Sequence, residues 1–86
     1  MTIKLLVTNG RVDTPIISSM IVTRAGEKMF FDTNKDVIPD QMDTIVIMFT
    51  ELIIIIKTMF DNRVVEEYII PMVNIASISN RVEPYK

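Results

Sequence analysis

The sequence predicts an all-β protein of one small domain, and three observations support this prediction. Of its 86 residues, 15 are Ile, 9 are Val and 8 are Thr. These β-branched side chains lose rotamer freedom in a helix but fit a pleated sheet. Ala and Leu, two strong helix formers, occur only 2 and 3 times. Turn-forming residues divide most of the apolar sequence into short runs that suit strands. A chain of this length, residues 1–86, is enough for one domain and too short for two.

The first part of the chain is predicted to form three strands. Residues 3–8 form the first, and Asn9-Gly10 is a strong hairpin motif because both residues tolerate positive φ angles. Residues 12–24 form a long second strand, which Pro15 restricts to an edge or a bulge near its start. After a short turn, residues 28–32 form a third strand.

The middle of the chain combines a polar break with its longest apolar segment. Residues 33–43 predict a loop, with room for one helical turn after Pro39. Residues 44–60 would be hydrophobic on every side as a helix, and their four consecutive Ile residues would lose side-chain entropy there. We therefore predict a long strand that bends near Thr50-Glu51.

The last part of the chain is predicted to form two further strands. A turn at residues 61–63 precedes a strand over residues 64–70. Residues 71–74 form a tight connection to a final strand over residues 75–79. The rest, residues 80–86, is predicted to be a tail.

The residue types argue against an enzyme. The chain has no His and no Cys, which removes the commonest general base, the commonest metal ligand and the cysteine nucleophile. Glu66 and Glu67 are adjacent on a predicted strand and so face opposite sides of the sheet, unlike the paired carboxylates of a glycosidase. With only two Gly residues, a glycine-rich phosphate loop is not possible. We predict no catalytic activity and no cofactor.

The charge distribution gives no sign of a metal site or of a duplex-DNA surface. Four acidic residues lie in and beside the polar loop: Asp32, Asp36, Asp40 and Asp43. The loop has neither the central Gly nor the final Glu of a calcium-binding loop. The net charge of −2 lacks the basic excess that duplex DNA attracts. We therefore expect a solvated loop, no metal and no duplex DNA.

Hydropathy predicts a soluble chain with apolar surface to cover. The most apolar window, residues 45–56, is shorter than the roughly 20 residues of a membrane span, and the first residues are too polar for a signal peptide. We expect a cytoplasmic protein without membrane contact. A domain of this size buries only about 60–65% of its unfolded surface, while 49% of the residues are hydrophobic. This combination favours an oligomer.

The order of elements and two segments of sequence resemble the Sm-like family, which includes the Hfq proteins. Residues 68–79 are similar to that family's fourth strand, short link and fifth strand, and residues 3–10 to its first strand and turn. The small size and divergent middle also resemble Sm-like proteins of phages, including cyanophages. The resemblance implies a small open barrel, of SH3 type, with about five strongly bent antiparallel strands.

The resemblance also implies a homo-oligomeric ring of about five to seven subunits. In this family the fourth strand of one subunit pairs with the fifth strand of the next, which covers the open sheet edges. The residues that this pairing assigns to the interface are Val64, Val65, Tyr68, Ile70, Ile75 and Ile78.

Ring pores of the family bind single-stranded RNA through two loops. By resemblance, Asp32 and Asn34 correspond to the loop between the family's second and third strands. Asn74 corresponds to the loop before the family's last strand. Arg63 and Arg81 could add phosphate contacts. The basic residue that family members carry in the second loop is missing here.

Two functions therefore remain open from the sequence. The first is a ring-forming protein that binds single-stranded RNA or takes part in RNA processing. The second is a protein-interaction or assembly module of phage origin on the same barrel, without nucleic acid. An acidic pI of about 4.9 and seven Met residues favour the second function.

Overall fold

The computed structural model describes residues 3–33 and 42–82, which fold almost entirely into strands. A short 3₁₀ helix, Met72–Asn74, joins the last two strands. The strands are β1 (Lys4–Thr8), β2 (Asp13–Pro15), β3 (Ser18–Thr23), β4 (Lys28–Asp32), β5 (Thr44–Phe49), β6 (Ile53–Phe60), β7 (Arg63–Pro71) and β8 (Ile75–Arg81). They form a five-stranded sheet in the order β2-β1-β5-β6-β7 and a three-stranded sheet in the order β4-β3-β8. The all-β prediction is confirmed. The tight connection predicted over residues 71–74 is the 3₁₀ helix.

The long strand predicted over residues 12–24 passes from one sheet to the other. It breaks at Ile16-Ile17, between β2 and β3. The Ile16 amide donates to the Leu5 carbonyl in the larger sheet, at 3.0 Å, and the Ile17 amide donates to the Arg81 carbonyl in the smaller one, at 2.7 Å. Because the backbone stays hydrogen-bonded through the bend, this segment forms a corner that connects the two sheets.

The apolar segment over residues 44–60 is a hairpin, not the single bent strand that its composition suggested. β5 and β6 pair antiparallel, with Phe49 opposite Ile54. The turn between them has neither Gly nor Pro. Instead, the Thr50 hydroxyl accepts hydrogen bonds from the amides of Leu52 and Ile53 at 3.2 and 3.0 Å. A side chain thus supplies the hydrogen bonds that close this turn.

The strand pairing is not antiparallel throughout. β1 runs parallel to β5, with Lys4 opposite Thr44 and Thr8 opposite Met48. A parallel pair needs a long connection, and the β2–β3–β4 segment lies between these two strands in the chain. The polar segment before β5 is described only at Thr33 and from residue 42 on. The helical turn expected after Pro39 lies outside the described residues.

The hydrophobic core lies between the two sheets and follows the period of two along each strand. Ile54 and Ile56 of β6 are completely buried, while Ile53 and Ile55 on the other face are only partly buried. The buried apolar side chains are Ile3, Leu5, Ile16, Ile21, Ile45, Ile47, Ile54, Ile56 and Ile75.

Two hairpin turns are stabilised by side chains or by positive φ angles. Asn9 accepts hydrogen bonds through Oδ1 from the amides of Arg11 and Val12, at 2.9 and 3.1 Å. The predicted turn at Asn9-Gly10 is thus present, in a loop of four residues between Thr8 and Asp13. The turn between β6 and β7 has two residues, Asp61 and Asn62, with φ angles of 52° and 62°. Positive φ at both positions matches the right-handed twist of a hairpin.

Asp43 stabilises the β6–β7 turn from a neighbouring strand. Its Oδ2 accepts a hydrogen bond from the Asp61 amide at 3.0 Å, and its Oδ1 accepts one from the Thr44 hydroxyl at 2.9 Å. These bonds, the first above all, hold the pKa of the Asp43 carboxyl below its usual value of 3.8. The ionised carboxylate therefore favours the folded state.

This arrangement predicts how stability depends on pH. Because the folded pKa of Asp43 is lowered, its contribution is complete above about pH 5 and is lost as the pH falls towards and through the folded pKa. Asp43→Asn should lower the urea midpoint at pH 7 and make the midpoint fall less between pH 5 and pH 3 than in the parent protein. An equal fall of the urea midpoint between pH 5 and pH 3 in both proteins would contradict a role for the carboxylate charge.

Candidate assembly site

The longest strand, β7, is an edge strand of the larger sheet and is exposed along almost its whole length. Among the described residues it pairs only with β6. Its nine residues present large apolar side chains to solvent; the exposed fractions are 49% for Val64, 44% for Val65, 50% for Tyr68 and 57% for Ile69. An exposed, long, apolar edge strand is a template for pairing with another chain.

One of the two edge strands of the smaller sheet is β8, which follows β7 directly after the 3₁₀ helix. In the described part of the chain it pairs only with β3. Its exposed side chains are small or polar: Ala76, Ser77, Ser79, Asn80 and Arg81. The backbone along its outer edge is therefore accessible to a second strand without steric hindrance from large side chains.

Cross-strand partners show which side of each edge strand faces the core. In β7, Tyr68 lies opposite the buried Ile56 and Ile70 opposite the buried Ile54, so both are on the core side. Glu67 lies opposite Lys57 on the outer side. The Lys57–Glu67 pair places opposite charges beside each other on that face.

The smaller sheet assigns the sides of β8 in the same way. Ile78 lies opposite the buried Ile21, and Asn80 lies opposite the buried Ser19. The Ser19 hydroxyl donates to Asn80 Oδ1 at 2.7 Å. Ile78 and Asn80 are therefore on the core side of β8, and Arg81 is on the outer side.

Tyr68 and Glu66 interact along the core side of β7. The Tyr68 hydroxyl donates a hydrogen bond to Glu66 Oε2. This bond, together with the negative charge of Glu66, raises the pKa of Tyr68 above its usual value of 10.0. Tyr68 is therefore neutral at physiological pH, and its ring remains half exposed at the strand edge.

A cleft of about 730 Å³ separates β7 from the β3–β4 hairpin. Tyr68 and Ile70 form part of one wall, Arg24 and Met29 part of the other, and Asn74 also lines it. The cleft marks the place where the two sheets are not joined by strand pairing. It gives the core side of β7 an open neighbourhood that another strand can fill.

The structure does not bring the predicted RNA-binding residues together. Asp32 and Arg81 flank Ser18 at one end of the smaller sheet. Asn74 precedes Ile75 at the other end of β8, roughly 20 Å away over the length of a seven-residue strand. Arg63 lies at the β6–β7 turn in the larger sheet. Asn34 is outside the described residues.

The loop beside the 3₁₀ helix is a different one from the loop that the sequence suggested. The Met72 amide donates to the Leu52 carbonyl at 2.8 Å, so the β5–β6 turn is its neighbour. Leu52 and Val73 are 79% and 75% exposed there, and Arg24 Nε donates to the Val73 carbonyl at 2.7 Å. Asp32 lies at the end of β4, opposite Ser18 in the smaller sheet.

The residues assigned to the oligomer interface divide into two groups. Val64, Val65 and Tyr68 are exposed on β7, as an interface requires. Ile75 is buried in the core of its own subunit, and Ile70 and Ile78 pack against that core. Leu52 and Ile69, which the sequence reasoning did not select, are more exposed than any of these six.

Over residues 3–33 and 42–82, no group of three or more acidic, His or Cys side chains is arranged to hold a metal ion. The same residues contain no helix with the length and hydropathy needed to cross a membrane. Comparison of the chain with models of protein families, with curated proteins and with solved structures finds no match in any of the three.

Proposed function

We propose that this protein is a non-enzymatic, self-assembling interaction module, in which β7 of one copy pairs with β8 of the next. The observation that carries the proposal is the exposure of large apolar side chains along the edge strand β7. Pairing would satisfy the free backbone groups of both edge strands and remove apolar surface from water.

The geometry of this contact favours a ring over a dimer. β7 and β8 are different edges on different sheets, so each copy uses one edge towards each neighbour. Such a heterologous contact gives a ring where the rotation between copies closes and an open filament where it does not. The ring is the assembly that the resemblance to Sm-like proteins implies, with about five to seven copies.

The surface of the module suits a protein partner better than RNA. Of the residues expected to bind RNA, Asp32 and Arg81 lie at one end of the smaller sheet and Asn74 at the other end of β8. Leu52 and Val73 are exposed at the 3₁₀ helix and the turn beside it. A net charge of −2 does not concentrate phosphate groups. Single-stranded RNA binding by Arg63 and Arg81 is the rival hypothesis.

Sedimentation of the protein with fluorescent oligo-U and oligo-A at low salt separates these functions. We expect the protein to sediment as a species several times heavier than its 9.9 kDa chain, while both labelled oligonucleotides remain free. Oligonucleotides that sediment with the protein, and are released by salt, would support the RNA hypothesis instead. A protein that sediments as one chain would contradict assembly.

A further inference from the structure

The pleat and the charges of the two edge strands select one register for their pairing. This inference rests on the proposed assembly and specifies its contact. We infer that β7 pairs antiparallel with β8 of the next copy, with Glu67 opposite Arg81 of the next copy and Ile70 opposite Ile78 of the next copy. Tyr68 then lies opposite Asn80 of the next copy.

The pleat of the sheet excludes half of all possible registers. A strand added to a sheet keeps its core-side residues in line with the core side of its neighbour, because a shift by one residue turns every side chain to the other face. Tyr68 and Ile70 are on the core side of β7. Ile78 and Asn80 are on the core side of β8. The permitted antiparallel registers therefore differ by steps of two residues on one strand.

Charge and hydrophobicity choose among the permitted registers. With Ile70 beside Ile78 of the next copy, Arg81 of the next copy meets Glu67 on the outer side. This adds a cation to the Lys57–Glu67 pair and leaves Glu67 between two positive charges. A shift by one step places Arg81 opposite the apolar Val65 or Ile69 and leaves Glu67 without this contact.

The direction of the incoming strand follows from where the apolar surface lies. In the antiparallel register, five consecutive residues of β8, ending at Arg81, cover β7 from Glu67 to Pro71. This stretch includes Tyr68 and Ile69, which are 50% and 57% exposed. A parallel strand with the same charge pair would instead cover β7 on the Arg63 side of Glu67, where Val64 and Val65 are smaller and less exposed, at 49% and 44%, and it would leave Tyr68 and Ile69 uncovered.

The cleft beside β7 accommodates the same register. All five residues from Glu67 to Pro71, the stretch that the inferred register pairs, line its β7 wall, with Met29 among the residues opposite. A strand added to the edge of β7 directs its core-side residues into this space. In the inferred register these are Ile78 and Asn80 of the next copy, an apolar and a small polar side chain.

Disulfide trapping tests the register directly, because the chain has no Cys of its own. A protein with Ile69→Cys is mixed with one carrying Ser79→Cys, and a second mixture combines Tyr68→Cys with Asn80→Cys. Adjacent cross-strand pairs alternate between Cα separations of about 5.5 and 4.5 Å, within the range of a disulfide. We expect at least one mixture to form mixed disulfides under mild oxidation. Ile69→Cys mixed with Ser77→Cys, two residues out of register, should form at least tenfold less.

A charge-reversal cycle adds an independent readout. Arg81→Glu should weaken association about tenfold, and adding Glu67→Arg to the same chain should restore most of it. Arg63→Glu is the matched control, since it reverses a charge on β7 away from the contact and should not respond to Glu67→Arg. Efficient trapping of the shifted pair, or no restoration in the double variant, overturns the register while an oligomeric mass keeps the proposed function. A parent protein that remains a single chain overturns both.

Discussion

Replacing Ile54 with Ala is expected to lower the free energy of unfolding by about 3–4 kcal/mol, as truncation of a fully buried Ile does in a packed core. Ile54 has no exposed surface and lies on β6, next to the centre of the larger sheet. A domain of this size has a total stability of only about 5–15 kcal/mol. The loss is therefore large enough to unfold much of the protein at moderate urea concentrations.

The neighbouring residue provides the matched control. Ile55→Ala removes the same atoms one position further along β6, from the partly buried outer face, and should cost about 1 kcal/mol. Both variants are compared by urea unfolding at one protein concentration, because association contributes to the apparent stability. Equal losses would contradict the alternation of faces, and with it the placement of the core.

Replacing Ile69 with Lys is expected to abolish assembly. Ile69 is 57% exposed on β7, and a charged side chain on an edge strand opposes pairing with another strand. The variant also removes the apolar surface of Ile69 that the neighbouring strand would cover. Light scattering should show the mass of a single chain, 9.9 kDa, at concentrations where the parent protein is oligomeric.

Leu52→Lys is the control for this substitution. It places the same charge on the even more exposed Leu52, 79% exposed in the β5–β6 turn and outside both edge strands. Its oligomeric mass should equal that of the parent protein. If Leu52→Lys dissociates the oligomer and Ile69→Lys does not, the interface lies at the turn and the β7–β8 contact is wrong.

Most of the strands could be predicted from the sequence because β-branched residues and turn motifs act locally. The alternation of buried and exposed residues in β6 and the two-residue turn at Asp61 and Asn62 follow from such local preferences. The sequence predicts a bend at Thr50, whereas the structure has a turn there that contains no Gly, Pro or Asn. Its hydrogen bonds come from a Thr side chain, which sequence patterns identify poorly.

The pairing of distant strands could not be derived from local patterns. β1 and β5 are parallel and well separated in the chain, so no turn motif indicates their contact. The assignment of Val64, Val65 and Tyr68 to an interface came from the resemblance to Sm-like proteins and not from a local pattern; these three side chains are exposed on β7.

Hydrogen exchange of the edge strands tests the central claim most directly. Alternate amides of β7 and β8 point away from β6 and β3 and exchange rapidly unless another strand covers them. Assembly predicts that these amides are protected at high protein concentration, become unprotected on dilution, and stay unprotected in Ile69→Lys, while the amides of β1 and β5 do not change. Rapid exchange of the outward amides of β7 and β8 at every concentration would contradict the account.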